Sequence, residues 1–499
     1  MNMLDKALRA IAPGMAVARE RNRRILDILQ TNRYDAATSG NRGKSFRSNA
    51  TDADAAGRSR AKLAFISRDM IRNTPFAGRA MQVISNNVVG DGIIPKIVGG
   101  DKKQRESMFA AIEAHFDTSA IDADGRTTLY GLQRLAMLTV VESGEVLIRR
   151  RRRDPTEGFE LPFQIQILEP DHLDSTRDGK LANGNSVREG IEYDLIGRRA
   201  AYWLFPEHPG ASGWSRKWPE SRRVPASEIL HIYRQDRPGQ MRGVPWFAPV
   251  AMKMQDIADH DDAQLMRQKI AACFAAFVKS TEPDGVAGNE TMASLATSIV
   301  PGRIQRLAAG DDVEFGNPPG VQGYDEFTAW GHRAVAAGLG ITYESYTGDL
   351  SRVNFTSYKA GRIEMNRNVS AWQWHMMVPN MLHPIGRWAV EGWTMMNAGK
   401  RSQMRLDWVP PVPPLIDPNR ELPAMVAKVR AGFDSKQGII RELGKDPERV
   451  TLEIIADMAE ADAASPQLVF DSDARRVSGS GVTNARPVGM TYPEDGATQ

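Results

Sequence analysis

Cysteine is almost missing from this sequence. Cys273 is the single one among 499 residues, which excludes an internal disulfide framework and a zinc site built on thiolates. It lies in the apolar run IAACFAAFV and reads as a buried, inert thiol. Long hydrophobic runs are missing too. Nothing approaches the roughly 18 consecutive apolar residues of a membrane span, and the amphipathic, basic segment Met1 to Arg24 lacks a signal-peptide core. The expected setting is intracellular and reducing. Net charge is also scarce: Lys plus Arg total 64 and Asp plus Glu 61, for a formal +3. A protein that grips DNA through counterion release carries a basic stripe. A nearly balanced chain predicts nucleic-acid contacts that are weak, local or sliding.

Catalytic patterns are absent as well. There is no G-x-S-x-G elbow, no H-E-x-x-H and no spaced carboxylate pair. TSGNRGKS at Thr38 to Ser45 comes nearest to a phosphate loop. Thr38 stands where the first glycine belongs and no apolar strand precedes it, so a flexible linker is the better reading. Glu169, Asp171, His172 and Asp174 in EPDHLD have the donor chemistry of a cation site, but a Pro-containing turn after the strand FQIQIL accounts for the same residues. In DIADHDDA, Asp256 and His260 lie one helical turn apart among Asp259, Asp261 and Asp262. They read as a solvated acidic face, or as one that meets basic residues of a neighbour. Arg149 to Arg153 sit at a strand end, where side chains alternate faces, and predict an exposed edge or a subunit contact rather than a DNA patch. No catalytic residue, metal or cofactor is expected.

What is present is an ordinary globular balance, 41% hydrophobic and 25% charged, with an α+β pattern. Met1 to Gln30 reads as a basic helix and Thr31 to Arg60 as a linker rich in Ser, Asn, Gly and Asp. Leu63 to Val88 carries helical periodicity broken at Asn73-Thr74-Pro75. Further helices are expected near Gln104 to Asp117 and Leu129 to Glu142. VLIRRR, FQIQILE, EGIEYD, AAYWLF and EILHIY read as short strands. A strongly helical run spans Trp246 to Val278. A short helix (Asn289 to Thr297) and two strand-like runs, RIQRL and DVEFG, follow. Tyr324 to Ala337 is helical, and Thr356 to Gly399 forms a very long helix, about 60 Å if unbroken, with a kink at Pro379 and Pro384. WVPPVPPLIDP is an extended connector, Glu421 to Ala463 holds two or three helices, and the chain after Ala464 has the composition of a disordered tail. Between the helices around residues 324–337 and 356–399 lies a polar stretch, GITYESYTGDLSRVNFT, with no nucleophile–base pair. It reads as a contact surface.

Several stretches, taken in order, resemble the lambda-like bacteriophage portal proteins. They include SRDMIRNTPFAGRAMQVISNNVVGDGIIP, ESGEVLIR, ILEPDHLD, HIYRQDRPGQMRGVPWFAPVAMKMQDIADHDDAQLMRQKIAACFAAFV, FTAWGHRAVAAGLGITYESYTGDLSRVNFTSYKAGRIE and IDPNRELPAM. The resemblance runs from about Tyr34 to Ala463, with Gly331 as a departure that interrupts a helix. It implies an α+β portal fold that assembles into a ring, usually of twelve copies: an N-terminal helix and linker (1–59), a mixed α/β wing (60–245), a first stem helix (246–278), a small α/β clip (279–323), a second stem helix (324–340), a tunnel loop (341–356), a long kinked helix (357–403), a helical crown (404–463) and a tail (464–499). The function it implies is a head–tail connector at one capsid vertex of the virion, made in the host cytoplasm, through which double-stranded DNA is packaged and ejected. The implied channel residues are Asp349, Ser351, Arg352, Asn354 and Thr356, with Lys359 just beyond. Implied partners are other copies of the chain, DNA, the terminase, the major capsid protein and head-completion proteins, with no membrane. Two rival readings are a nuclease or ATPase subunit of the packaging motor, and a capsid or tail protein without DNA contact.

Overall fold

The computed structural model describes residues 59–211, 220–272, 276–280, 311–315, 323–397, 403–413, 417–445 and 447–463, besides position 53. The N-terminal helix, most of the linker with TSGNRGKS, Cys273, the Asn289 to Thr297 helix, RIQRL and the tail lie outside these residues. All elements below belong to the unit that starts at Ala56.

Helices α1 (Arg60–Asn73) and α2 (Pro75–Val88) meet at the expected break. Thr74 is extended, at φ −112° and ψ 113°, because a following proline disfavours the helical region. Pro75 opens α2 where its missing N–H has no helical partner to lose. Strand β1 (Ile94–Val98) leads into α3 (Lys102–Phe116), which begins with a reciprocal capping box between Asp101 and Gln104. Helix α4 (Leu129–Ser143) starts on a Thr128 cap and stops at Gly144, whose φ of +90° suits glycine and turns the chain directly into a strand. Ile84, Val88, Phe116, Met137 and Val140 are completely buried in the main core. Each such side chain contributes about 1.5–3 kcal/mol by leaving water.

Strands β2 (Glu145–Arg152) and β3 (Phe163–Leu168) pair antiparallel. A meander of β4 (Gly179–Lys180), β5 (Ser186–Arg188), β6 (Ile191–Tyr193), β7 (Arg199–Leu204) and β8 (Arg222–Pro225) then forms a five-stranded sheet. Strand β9 (Ile229–Tyr233) returns to the far side of β2, giving the order β3-β2-β9. Because strand side chains alternate, Val146 and Ile148 enter the main core while Leu147 enters a second core with Leu173, Ile191, Tyr202 and Leu204. The expected edge at Arg149 to Arg153 is corrected at Arg149, which is central because β9 arrives from 80 residues downstream to cover it, whereas Arg150 to Arg152 pair with β3 alone and keep an open strand edge.

Helix α5 (Ala251–Ala272) follows, and then strand β10 (Ala276–Ser280) pairs antiparallel with β11 (Asp311–Phe315). The helix expected to reach Val278 therefore ends six residues earlier. Aromatic and β-branched residues in AFVKS suit a strand once DVEF supplies a ladder. Helix α6 (Tyr324–Leu339) packs on α5 without interruption at Gly331. That glycine is a contact point rather than a break, because a Cβ there would lie 2.8 Å from Ile257 Cδ1.

A short helix, α7 (Tyr343–Thr347), precedes α8 (Phe355–Trp372). From Gln373 to Leu382 the ladder widens to π-helical spacing around Pro379, and α9 (His383–Met396) resumes with Pro384 in its first turn. Proline lacks the N–H and crowds the carbonyl four residues back, so one loosened stretch absorbs it. Strand β12 (Arg405–Val409) pairs with β1, Ile94 opposite Val409. The segment expected from Met404 to be a helical crown thus begins with a strand that belongs to the first sheet. Helices α10 (Pro418–Arg430), α11 (Lys436–Glu442) and α12 (Pro447–Ala463) follow. No helix among the described residues is long and apolar enough to cross a membrane.

Candidate functional site

The stretch expected to be one loop, Ile341 to Thr356, divides in two. Its first half folds on the protein's own core: Ile341 is buried and Tyr346 completely so. The Tyr346 ring lies 5.6 Å from both Phe76 and His332, and burial raises its phenol well above the ordinary range. Thr342 caps α7 by accepting from the Ser345 N–H, and the Arg79 guanidinium donates to the Ser345 carbonyl at 2.9 Å. α2 and α6 therefore hold the base of the segment. Five residues of the expected loop form α7 because that cap and the Tyr346 anchor favour a turn of helix.

The second half, residues 348–354, projects with little support. Asp349 accepts from the Ser351 N–H at 2.9 Å, and the Ser351 hydroxyl and N–H hold its carboxyl below the ordinary range. Ser351 and Arg352 are exposed. Arg352 has no hydrogen bond or salt bridge among the described residues and feels only the longer-range field of Asp349. Asn354 accepts from the Ser357 N–H at 2.8 Å and so caps α8; Thr356 is exposed in the first turn. Lys359 is engaged elsewhere. Its Nζ lies 2.7 Å from Glu421 Oε1, tying α8 to α10. Four of the six expected channel residues thus lie within residues 348–354, Thr356 stands in the first turn of α8, and Lys359 is one turn further on.

Other sequence candidates resolve into structure. Glu169 and Asp171 share the guanidinium of Arg68, at 3.1 and 2.5 Å, and His208 Nε2 lies 3.3 Å from Glu169. These three ligand-type residues sit close enough for a cation, but Arg68, held by the Ser143 hydroxyl, already supplies the positive charge. His172 instead turns its Nδ1 to the Phe205 carbonyl, and Asp174 accepts from Ser221 and Thr176. On α5, His260 packs against the rings of Tyr324 and Phe327, and Asp261 accepts from the Tyr324 hydroxyl at 2.9 Å. That face meets α6 through aromatic groups rather than basic ones.

One cluster had no motif to announce it. Glu145, at the start of β2, is completely buried and accepts from Arg242 Nε at 2.9 Å and from the Gly243 N–H at 2.8 Å. Arg199 donates to His231 Nδ1, so neutral His231 carries its proton on Nε2 and donates to Glu145 at 2.8 Å. Arg242 and Arg60 both pair with Glu189, and Arg60 also donates to the Gly243 carbonyl. Burial alone would raise the Glu145 carboxyl; Arg242 and His231 outweigh it and hold the group well below the ordinary range. Burial lowers His231. The segment HIYRQDRPGQMRG is thereby locked to the β3-β2-β9 sheet just ahead of Trp246 and α5.

The family described as phage portal protein, lambda family, matches residues 39–373, more than half of the chain. This chain belongs to that family. Among portal relatives it is similar to a probable portal protein of Halomonas phage phiHAP-1, 27% identical over 433 residues that cover 83% of each chain. It is also similar to the portal protein of Escherichia phage N15 (22% identical) and to portal protein B of Escherichia phage lambda (19% identical). Each of these alignments covers 59% of this chain and 62% of the relative. Among solved structures, a chain from the neck of a native GTA particle computed with C12 symmetry is similar at a TM-score of 0.48 and 15% identity, covering 78% of this chain and 94% of that one. An HK97 family phage portal protein from Corynebacterium diphtheriae is similar at a TM-score of 0.36 and 9% identity, covering 68% and 95%. Likenesses at these scores decide nothing about the arrangement of this portal protein's parts. Its described elements mix helix and sheet throughout.

Proposed function

We propose that copies of this chain close into a ring at one capsid vertex and form the conduit through which double-stranded DNA is packaged and ejected. Residues 348–354 would form its inward rim. The supporting observation is the contrast within one segment, a base fixed by Tyr346 and Arg79 and an exposed tip that leaves Arg352 without a hydrogen bond or salt bridge among the described residues. A rim of hydroxyl, amide and single guanidinium groups touches phosphates through shallow, often water-mediated contacts, and such contacts let a duplex slide. The packing helices also favour a ring. α5 and α6 leave Met252 75% and Trp330 61% exposed, apolar surface that a neighbouring copy would cover. In this reading residues 60–245 and α8–α9 form the wing, α5 and α6 the stem, β10–β11 part of the clip and α10–α12 the crown. The protein acts as structural machinery without a reaction of its own. Terminase, major capsid protein and head-completion proteins are its expected partners.

Negative-stain imaging of the purified protein should show annular particles with a central hole. Arg352→Glu should form the same annuli yet package or retain less DNA. A stable monomer at every concentration, or normal packaging by the variant, would refute the ring or the rim respectively.

A further inference from the structure

The end of β2 carries a cluster of arginines. Arg149 and Arg151 continue the face of Leu147, toward β8, while Arg150 and Arg152 take the other face. A concave pocket of about 610 Å³ opens between β2 and β8, its walls including Ala123, Val224 and Pro225. Six arginines, Arg149 to Arg153 and Arg223, contribute to its lining, with two acidic residues, Asp124 and Glu228.

Most of these arginines are held in place. Arg152 takes Glu228 at 2.6 Å, Arg223 takes Glu192 at 2.8 Å, and Arg150 reaches Glu391 at 3.1 Å. Arg151 uses its Nε on the neutral acceptor Gln166 at 3.0 Å, and Arg153 uses its Nε on Gln164 at 2.7 Å while its Nη1 lies 3.9 Å from Glu157. The terminal nitrogens of Arg151 are therefore aimed without being neutralised by its partner. Arg149 has no hydrogen bond or salt bridge among the described residues. Its burial, and the like charges of Arg151 and Arg222, push its pKa below the ordinary value. Glu228 offsets only part of this; a partly buried cation short of counter-charge is costly, and an incoming anion relieves it.

We propose that this pocket docks an acidic peptide segment of a partner protein, whose carboxylates pair with Arg149 and Arg151. Guanidinium forks match carboxylates in two-point pairs, and arginine clusters are a recurrent way to read acidic motifs. A duplex fits less well. Its phosphates lie on a stiff convex surface, whereas this opening is concave and of small-ligand size. Asp and Glu side chains reach into it on flexible stems, and Val224 and Pro225 offer apolar surface to the rest of a peptide.

The test is fluorescence anisotropy of a labelled hexaglutamate peptide with the full-length protein, competed by inorganic phosphate or by a short DNA duplex. Wild type should bind the peptide, Arg149→Glu and Arg151→Glu should each weaken it by about tenfold or more, and the exposed control Arg198→Glu should bind as wild type does. No binding by wild type, or an equal loss in the control, overturns the proposal. So does displacement by phosphate or duplex at lower concentration than by unlabelled peptide, which would make the pocket a phosphate site. If the variants fail to fold, mass spectrometry of wild type treated with an arginine-specific dicarbonyl decides. Bound peptide should protect Arg149 and Arg151, and unchanged labelling counts against docking.

Discussion

Arg242 and Arg352 carry the same group in opposite circumstances. Arg242 is buried with Glu145 and Glu189 and joins β2 to the segment ahead of α5. Arg352 stands at the tip of an exposed rim with neither hydrogen bond nor salt bridge among the described residues. A charge enclosed by its counter-charges is architecture, since desolvation makes its loss expensive. A charge left in water contributes little to folding and stays available to a partner. The contrast predicts that stability and function separate between the two regions.

The largest effect should come from the enclosed side. Glu145→Ala leaves buried Arg242 with Glu189 alone and His231 Nε2 without its acceptor, and should cost about 3–5 kcal/mol. Denaturant unfolding measures it. A loss below about 1 kcal/mol would mean that the cluster is hydrated and that the comparison fails at its first point.

Next comes acidity. Burial lowers His115 to about 4 from its ordinary value, and its Nε2–H donates to the Phe163 carbonyl at 2.8 Å. The folded protein keeps this ring neutral while the unfolded chain takes up a proton below about pH 6.5. The unfolded state then binds more protons, so stability falls as pH drops from about 6.5 toward 4, by up to about 1.4 kcal/mol per pH unit for this group. His231 shifts in the same direction. The midpoint of thermal unfolding should decline across that window, and His115→Gln should flatten the decline. An unchanged slope in the variant would place the acid sensitivity elsewhere.

How much of this was legible in the sequence depended on range. The break at Thr74–Pro75, the helix end near Glu142 and the short strands between Glu145 and Tyr233 were readable because local punctuation and period set them. The strand at Ala276 was not, because IAACFAAFV is a continuous apolar run in which periods of 2 and 3.6 look alike. Pairing of β1 with β12, or of Glu145 with Arg242, joins residues far apart in the chain and leaves no local mark. The rim residues were visible as polar types between two helices. That Tyr346 anchors half of the segment could not be read from spacing, since a tyrosine in a polar run signals no direction. The Lys359–Glu421 pair was invisible for the same reason, because the two residues lie 62 positions apart.

Lys359 sharpens the middle of the comparison. Its pair with Glu421 is half-open, with side-chain exposures of 35% and 24%, so it should stabilise by no more than about 1 kcal/mol. A double-mutant cycle of Lys359→Ala with Glu421→Ala reads the coupling directly. Zero coupling would leave α10 untied from α8 and return Lys359 to the set of available cations.

The smallest folding effect belongs to the rim. Arg352→Glu should change unfolding free energy by less than about 0.5 kcal/mol, the usual range for an exposed site. The new carboxylate faces Asp349 across a tip that water already solvates, so like-charge repulsion is screened there. If the same substitution lowers DNA retention while the melting curve stays put, the guanidinium acts outward, on something passing the rim. If instead the curve shifts as far as it does for Glu145→Ala, Arg352 is a structural cation. The distinction between enclosed and available charge would then be wrong for this chain.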